Sequence, residues 1–593
     1  MAGPAALPAI ARTGAVTVGL FALCGYGAAR LLLPARLRLG LYVLPVGAAC
    51  STLALTVLGL FHVPLRASLA ITLAAAAALA LLARRHHGDA EASATGRTAR
   101  LAAPLALAAL IAAIALLPSF RAGFATVQGQ NGDAVLAVGT AEFLRHAPPT
   151  AVRPDLPLDR VPIVWRSKLP IYYGLAAVSE LAGQDPIVAF STVAAVVLAL
   201  AALGFYLFIV DGFGAPVAVG LLVLFAVGLD RIVLYVGIHP FFNQTWALFA
   251  LPFTLLFIAR GPPALAVLFT AFALFTYPLL LPFPAVFAGV LAWRRRGRLN
   301  WQRAMPRKRL WPPLAVPAVP VAAVLVRGVV EKVVPAVNAV RPGGDLGGWS
   351  GAALPYLPFG RFLGMDGHSA LAALVVLAVL AAAVAGLRAA TDDAARALAV
   401  LLGGALLAAV YLRARGQGEL FFFKDLAFAG PLILALAVVG LAERLPRAAA
   451  IPALALLLVA LSAGARHELA GTYDQVPRDL MALRTWDREL PAGESIRIDV
   501  PPSGWQLWSW YLLPRHRVSA PDPLGGFFPH PPRGRRADLV LVQRRRGRGR
   551  PADATGPPVR ANAQYALYRL RGDLPGPDAS SRTLEWSITR ITY

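Results

Sequence analysis

Two cysteines in 593 residues exclude a disulfide framework and a cysteine-based zinc cluster. Both, Cys24 and Cys50, fall in apolar runs near the start, and the C-terminal tail has none. Charge is scarce as well: 15% of residues are Asp, Glu, Lys or Arg, against 58% hydrophobic. Soluble domains carry about 25% charged residues, so an ordinary soluble chain is excluded. Acid is the scarcer sign, with 31 Asp and Glu against 56 Lys and Arg, for a net +25. That excess does not make a nucleic-acid binder, because many of the arginines sit between apolar runs, where they orient a membrane protein. The N-terminus lacks the short apolar core and cleavage site of a signal peptide, so the first run is expected to stay as a span. No internal repeat is present.

What the chain has is a succession of apolar runs such as "AVTVGLFALCGYGAARLLLP" at 15–34 and "IVAFSTVAAVVLALAALGFYLFIV" at 187–210. About 20 apolar residues cross the hydrocarbon core as a helix. The expected fold is mainly α: a polytopic transmembrane helix bundle of about 12–14 spans with a small C-terminal α/β domain. Its organisation reads as N-terminal transmembrane helices over 1–100, a transmembrane core over 101–465 with an outer loop at 119–186, and an extracytoplasmic α/β domain over 466–593. The basic stretches 84–100 and 294–310 face the cytoplasm by the charge rule, which puts 119–186, 230–243, 329–368, 413–424 and the tail from 466 outside. "FTYPLLLPFP" either separates spans at 262–277 and 279–293 or bends one long helix. "IYYGLAAVSELAG" (171–183) reads as an interfacial or re-entrant helix, with Tyr172 and Tyr173 at headgroup level. In the tail, "SIRIDV", "ADLVLVQ" and "YALYRL" read as strands and "WQLWSWYLL" as a helix packed on them. "RPGGDLGGWSG" (341–351), with Asp345, lacks the strand and helix a phosphate cradle needs and reads as an outer loop.

The few acids in the outer loops become the candidates for chemistry. Asp133 precedes the run "AVLAVGTAEFL" and can cap that helix or sit at its positive end. Glu142 lies nine residues on, about half a turn away, so one regular helix cannot bring the two together. It reads as an ordinary helix residue, and Asp155 in "RPDLPLDR" is another partner on a proline-rich loop. Cationic and donor groups at the same level are Lys168 in "WRSK", His239 with Asn243 and Gln244 in "GIHPFFNQTW", and Arg415 and Lys424 in "YLRARGQGELFFFKDLAF". A lysine placed like Lys424 can also snorkel to the headgroups or pair with Asp425. No carboxylate cluster is dense enough to mark a metal site.

Over roughly 101–293, the loop opening "GDA", the amphipathic run after it, "HAPP" and "KLPIYYGLAAVSELAGQDPIVAF" resemble the GT-C class of integral-membrane glycosyltransferases. The resemblance is strongest to the bacterial branch allied to protein mannosyltransferases and lipid A aminoarabinose transferases. It implies transfer of a sugar from a polyprenyl-phosphate-linked donor to a glycan, lipid or protein acceptor of the cell envelope, on the outer face of a bacterial cytoplasmic membrane. Asp133 matches the position of the class's acidic residue, which implies a general base or acceptor-orienting group. The adjacent acidic pair frequent in the class is not present, because Ala134 follows Asp133. Glu142 and Asp155 stand as second carboxylates, and Lys168, His239, Arg415 and Lys424 as contacts for the donor phosphate. Some members use a divalent cation, and no ligands are assigned to one here. The partners implied are the bilayer, the lipid-linked donor and the acceptor, with no nucleic acid. A lipid or solute transporter and a non-catalytic envelope-assembly protein of the same fold are the alternatives.

Overall fold

The computed structural model describes residues 5–33, 40–86, 95–128, 132–151, 169–239, 241–296, 359–364, 370–389, 392–415, 418–470, 476–500, 503–519, 537–544 and 550–571, with isolated positions between 326 and 341. The helices, in chain order, are α1 (Ala6–Leu32), α2 (Val43–Leu60), α3 (Leu65–His86), α4 (Thr95–Ala115), α5 (Leu117–Ala122), α6 (Gly132–His146), α7 (Leu169–Ala182), α8 (Pro186–Leu207), α9 (Val217–Gly228), α10 (Arg231–Ile238) and α11 (Phe242–Arg260). They continue as α12 (Pro263–Thr276), α13 (Pro282–Arg295), α14 (Ala370–Ala389), α15 (Asp393–Ala414), α16 (Glu419–Arg444) and α17 (Arg447–Ala470). A smaller C-terminal unit adds α18 (Arg478–Met481), α19 (Leu483–Glu489), β1 (Ser495–Asp499), α20 (Ser503–Leu512), β2 (Arg517–Ser519), β3 (Leu539–Gln543), β4 (Ala554–Ala561) and β5 (Tyr565–Leu570).

Among the described residues, 9 helices are long and apolar enough to cross a membrane. A tenth span forms if α9 and α10, bent by 52° at their junction, count as one. The chain is a polytopic helical membrane protein. The expected spans at 101–118, 262–277 and 279–293 are helices whose apolar stretches are shorter, and 311–328, but for Val326, lies outside the described residues. "FTYPLLLPFP" does separate two helices: Tyr277 leaves the helical region at φ −154° and ψ 89°, and a single 3-10 turn, Pro278–Leu280, leads into α13. The prolines there cannot donate to a continuous helical ladder.

Lipid supplies no hydrophobic force between helices, so close approach depends on small residues. A Cβ at Gly25 of α1 would overlap the Val43 carbonyl, and one at Gly47 of α2 would overlap the Phe21 carbonyl. The α14–α16 pair repeats this device with Gly386 against Leu436 and Gly440 against Ala382. Helices from the first hundred residues and from the rest of the bundle share one apolar core, with α1 packed on α8 and α2 on α7. The segment expected at headgroup level is α7, and it is buried through Ser179 rather than lying on a surface. It is apolar on every side, the pattern of an internal helix, and the Tyr172 hydroxyl donates to Asn243 Oδ1 at 3.0 Å.

The bundle has two polar ends. At the basic end, Arg294 binds Asp393 at 2.9 Å, Arg260 binds Asp392, and Tyr42 binds Asp211 in a short π-helical turn after α8. At the domain end, the chain before α6 meets the last turn of α17 and the chain after it: Arg121 donates to Leu469 O at 2.9 Å, and Val476 N to Val127 O at 3.3 Å. There the C-terminal unit docks. Its sheet has the order β2-β1-β3-β5-β4, with β1 parallel to β2 and β3, and β5 antiparallel to β3 and β4. The three expected strand segments are β1, β3 and β5. The tryptophan-rich run is α20, whose Trp508 and Trp510 are fully buried against the rest of the core.

Candidate functional site

Lys424 lies in the second turn of α16 at the domain end. Its ammonium donates to Gln244 Oε1 on α11 at 2.7 Å. It also lies 4.4 Å from the Phe241 ring centroid, 5.3 Å from Phe423 and 5.8 Å from Tyr277. Ring faces attract a cation electrostatically, so an aromatic cage favours a half-buried charge. The cage is braced behind: Phe423 packs on Tyr235 at 6.0 Å, and Tyr235 on His239 at 3.8 Å. Asp425 does not neutralise Lys424. Consecutive helix residues point about 100° apart, no ion pair joins the two among the described residues, and the buried Asp425 Oδ2 has no hydrogen-bond partner.

Gln244 is 1% exposed. Its Oε1 is used by Lys424, but its Nε2 has no acceptor among the described residues. The buried Thr276 hydroxyl, one residue before Tyr277, has no partner among the described residues either. Buried donors are almost always satisfied. The Gln244 amide N–H, which lacks an acceptor among the described residues, is therefore a buried donor suited to an acceptor oxygen, and the ammonium bonded to the same side chain supplies a charge that favours an anion.

His239 reaches the same end but is 1% exposed behind Tyr235 and Phe241. Its Nδ1 lies 4.0 Å from Glu468 Oε1, while Arg231 Nε binds Glu468 Oε2 at 3.1 Å. Arg415 sits in the turn from α15 to α16, where its carbonyl accepts from Gly418 N at 3.2 Å. Asp133 is in the first turn of α6, and Glu142 follows in the same helix, so their positions diverge. The Asp133 side chain, Asp155, Lys168 and Asp345 lie outside the described residues. Glu142 belongs to an ion-pair chain: it binds Arg145 at 2.7 Å, Arg145 binds Glu180 at 2.9 Å, and Glu180 binds Arg66 at 2.7 Å. Burial alone would raise its pKa, but His146, Arg145 and Arg484 outweigh that and hold the carboxyl at about 2.

Neighbouring contacts connect the entry to α6 with the lysine cage. Gln128 N donates to Ser191 Oγ, the adjacent Phe190 packs tilted against Phe242 with ring centroids 4.7 Å apart, Asn243 accepts from Tyr172, and Gln244 accepts from Lys424. Among the described residues no three His, Cys, Asp or Glu side chains gather to hold a metal ion.

Three features carried no prior expectation. Asp230 caps α10 from a fully buried position at the break between α9 and α10. The Asp-Arg pair inside "FAVGLDRIVLYV" is the sequence signal for that break. Glu468 is an acid in the last turn of an apolar helix, legible as unusual but not as a partner of Arg231. Arg484 holds Asp185 across 299 positions of chain, and no local pattern announces it.

No family model and no curated protein sequence matches the chain. Among solved structures, the arabinofuranosyltransferase AftD from Mycobacteria, determined by single-particle cryo-EM, is similar with a TM-score of 0.45 and 17% identity. The match covers 78% of this chain and 40% of that one, so the chain spans about two fifths of that protein's length.

Proposed function

We propose that this chain is a GT-C-type glycosyltransferase, moving a sugar from a polyprenyl-phosphate-linked donor to a cell-envelope acceptor, with the domain end outside a bacterial cytoplasmic membrane. The observation that carries the reading is the caged Lys424 ammonium with the acceptor-less amide N–H of Gln244 beside it. A lipid-linked donor keeps its phosphate at the membrane surface, where this pair lies near the start of two spans. The resemblance to the class supports the same reading.

In the transfer, the acceptor oxygen bonds to the anomeric carbon, the bond from that carbon to the phosphate oxygen breaks, and the acceptor proton leaves. Lys424 and Gln244 stabilise the charge that grows on the departing phosphate, at fixed positions in a low-dielectric setting. Asp133 takes the acceptor proton as general base. The first turn of α6 suits a carboxylate, because the helix N-terminus favours negative charge. Lys168 and Asp155, on the segment between α6 and α7, are proposed as further donor and acceptor contacts. Arg415 and His239 line the same end. No step is assigned to a metal ion.

The direct test is binding of a polyprenyl monophosphate to the full chain in nanodiscs, read by native mass spectrometry. Lys424→Gln should weaken retention by about tenfold or more, the scale of one lost charge-assisted hydrogen bond. Equal retention by both proteins would remove the cage from donor recognition.

One observation favours the transporter reading instead: the broken span with Asp230 buried at its break. That reading requires solute movement in proteoliposomes that is lost in Asp230→Asn and indifferent to Lys424→Gln. The concentration of the other polar groups at the two ends favours chemistry at an interface.

A further inference from the structure

The ionisable groups where the C-terminal unit meets the bundle have no part in the transfer just described, yet they are densely bonded. Arg484 on α19 donates through Nε and Nη2 to Asp185 Oδ2 at 3.1 and 2.9 Å, and through Nη1 to Tyr511 O at 3.2 Å. Its guanidinium lies 4.8 Å from the Tyr511 ring centroid, and the Tyr511 hydroxyl donates to Asp185 Oδ1. Asp185 is also the cap of α8, accepting from Ile187 N at 3.1 Å. One carboxylate thus closes a membrane helix and anchors the extramembrane unit twice. The Arg484 charge also reaches Glu142 on α6.

Around this anchor the two chain segments are stitched together. Thr126 Oγ1 donates to Val476 O at 3.1 Å, and Arg478 Nη2 to Gly123 O at 3.0 Å, with its guanidinium 4.8 Å from the Phe124 ring centroid. The stitched stretch, Arg121 to Gln128, is the lead-in to α6. The helix itself is packed by α20 of the C-terminal unit. A helix held by its neighbours' side chains keeps its position only as well as those neighbours hold theirs.

We infer that Arg484 is a positioning residue: by clamping Asp185 and holding Tyr511 of α20, the helix packed on α6, it fixes α6, and with it Asp133, so that the C-terminal unit forms a wall of the reaction site rather than an appended module. The kinetic part of this inference rests on the transfer reading; the positional part does not. Truncating Arg484 leaves the Asp185 carboxylate half-buried with Tyr511 as its remaining side-chain donor, and removes a counter-charge from Glu142. Lysine restores the charge without the two-pronged geometry.

The test uses the full chain in nanodiscs as wild type, Arg484→Ala, Arg484→Lys and Asp185→Asn. Hydrogen exchange is the first readout. Arg484→Ala should raise exchange in peptides from 121–128 and α6 by about tenfold or more, the signature of a local opening, while α8, α11 and the β3–β5 strands stay protected. Asp185→Asn should loosen the same peptides, and Arg484→Lys should recover part of the protection. Unchanged exchange in α6 overturns the inference, whether or not any sugar is transferred. If Arg484→Ala does not fold, Arg484→Lys and Asp185→Asn decide by the same criterion.

Transfer kinetics are the second readout. The inference expects kcat to fall by up to about 10²-fold, the cost of a misplaced catalytic group, with donor KM within about twofold and partial rescue in Arg484→Lys. A loosened α6 with unchanged kcat, or a rise in KM alone, overturns the positioning role. Absence of transfer in the wild type counts against the transfer reading and leaves the exchange result to decide the positional claim.

Discussion

Lys424 is a cation placed where most lysines would escape to the headgroups. Among the described residues, three aromatic rings and an amide oxygen hold it instead, and that arrangement makes a strong prediction about a single side chain. Lys424→Ala should lower sugar transfer by about 10²–10³-fold, the usual effect of deleting one preorganised donor to a developing anion. Steady-state kinetics of the folded variant check this. Glu468 predicts stability rather than turnover. It and Arg231 are 8% and 5% exposed, so removing one takes a charge-assisted bond from a buried charge. Glu468→Ala should cost about 3–5 kcal/mol, whereas Arg231→Met with Glu468→Leu should unfold close to wild type; thermal unfolding of both variants in one detergent is the comparison. In the C-terminal unit, His516 faces Asp487 Oδ1 at 3.0 Å and Pro491 O at 3.2 Å. Both are acceptors, so the fully bonded ring carries protons on both nitrogens. The bond to Asp487 raises the His516 pKa, against the burial and the neighbouring Arg515 that lower it. A raised folded-state pKa gives stability that is complete below the ordinary imidazole value, about 6.5, and is lost as pH rises through the folded value. The melting temperature of wild type should therefore fall with pH across that window, and that of His516→Gln should not.

At the scale of elements, the packing argument concentrates on two crossings. α1 meets α2 at Gly25 and Gly47, and α14 meets α16 at Gly386 and Gly440, in each case with a carbonyl where a Cβ would lie. Gly47→Leu should separate α1 from α2 and lower the melting temperature markedly, while Gly19→Ala on α1, where an added methyl meets open space, should change little. These elements were easy to read from the sequence because a long apolar run has few folded forms in a membrane. α7 was harder. Its tyrosines pointed to the headgroups, and only the partner Asn243, 71 positions away, explains how a buried hydroxyl is satisfied there. The same limit applied to the candidate site. That a lysine, a histidine and a glutamine lay at span edges was legible. That Gln244 bonds Lys424 across 180 positions, and that His239 turns away toward Glu468, was not, because neither follows from spacing within one element. Asp133 and Glu142 could be separated by helix geometry alone, and the shared helix α6 keeps them apart.

At the scale of the whole molecule, the account depends on two ends with different tasks. The basic end gathers Arg260, Arg294, Arg295 and Arg444 at helix termini. The domain end gathers the lysine cage, the entry to α6 and the C-terminal unit. Under the charge rule the basic end is cytoplasmic. With Cys24 and Cys50 replaced, single cysteines at Arg571 and Arg296 should label from opposite sides of intact cells, the first with an impermeant maleimide added outside. Labelling of Arg296→Cys from outside would invert the arrangement and put the cage on the wrong side for an envelope acceptor. The most direct test of the central claim is transfer itself: purified full chain in liposomes, a panel of polyprenyl-phosphate sugars, a membrane-extract acceptor pool, and wild type beside Asp133→Asn and Lys424→Ala. The account predicts a donor-dependent glycosylated product from wild type that is lost in both folded variants. Transfer that proceeds unchanged in Lys424→Ala would contradict it.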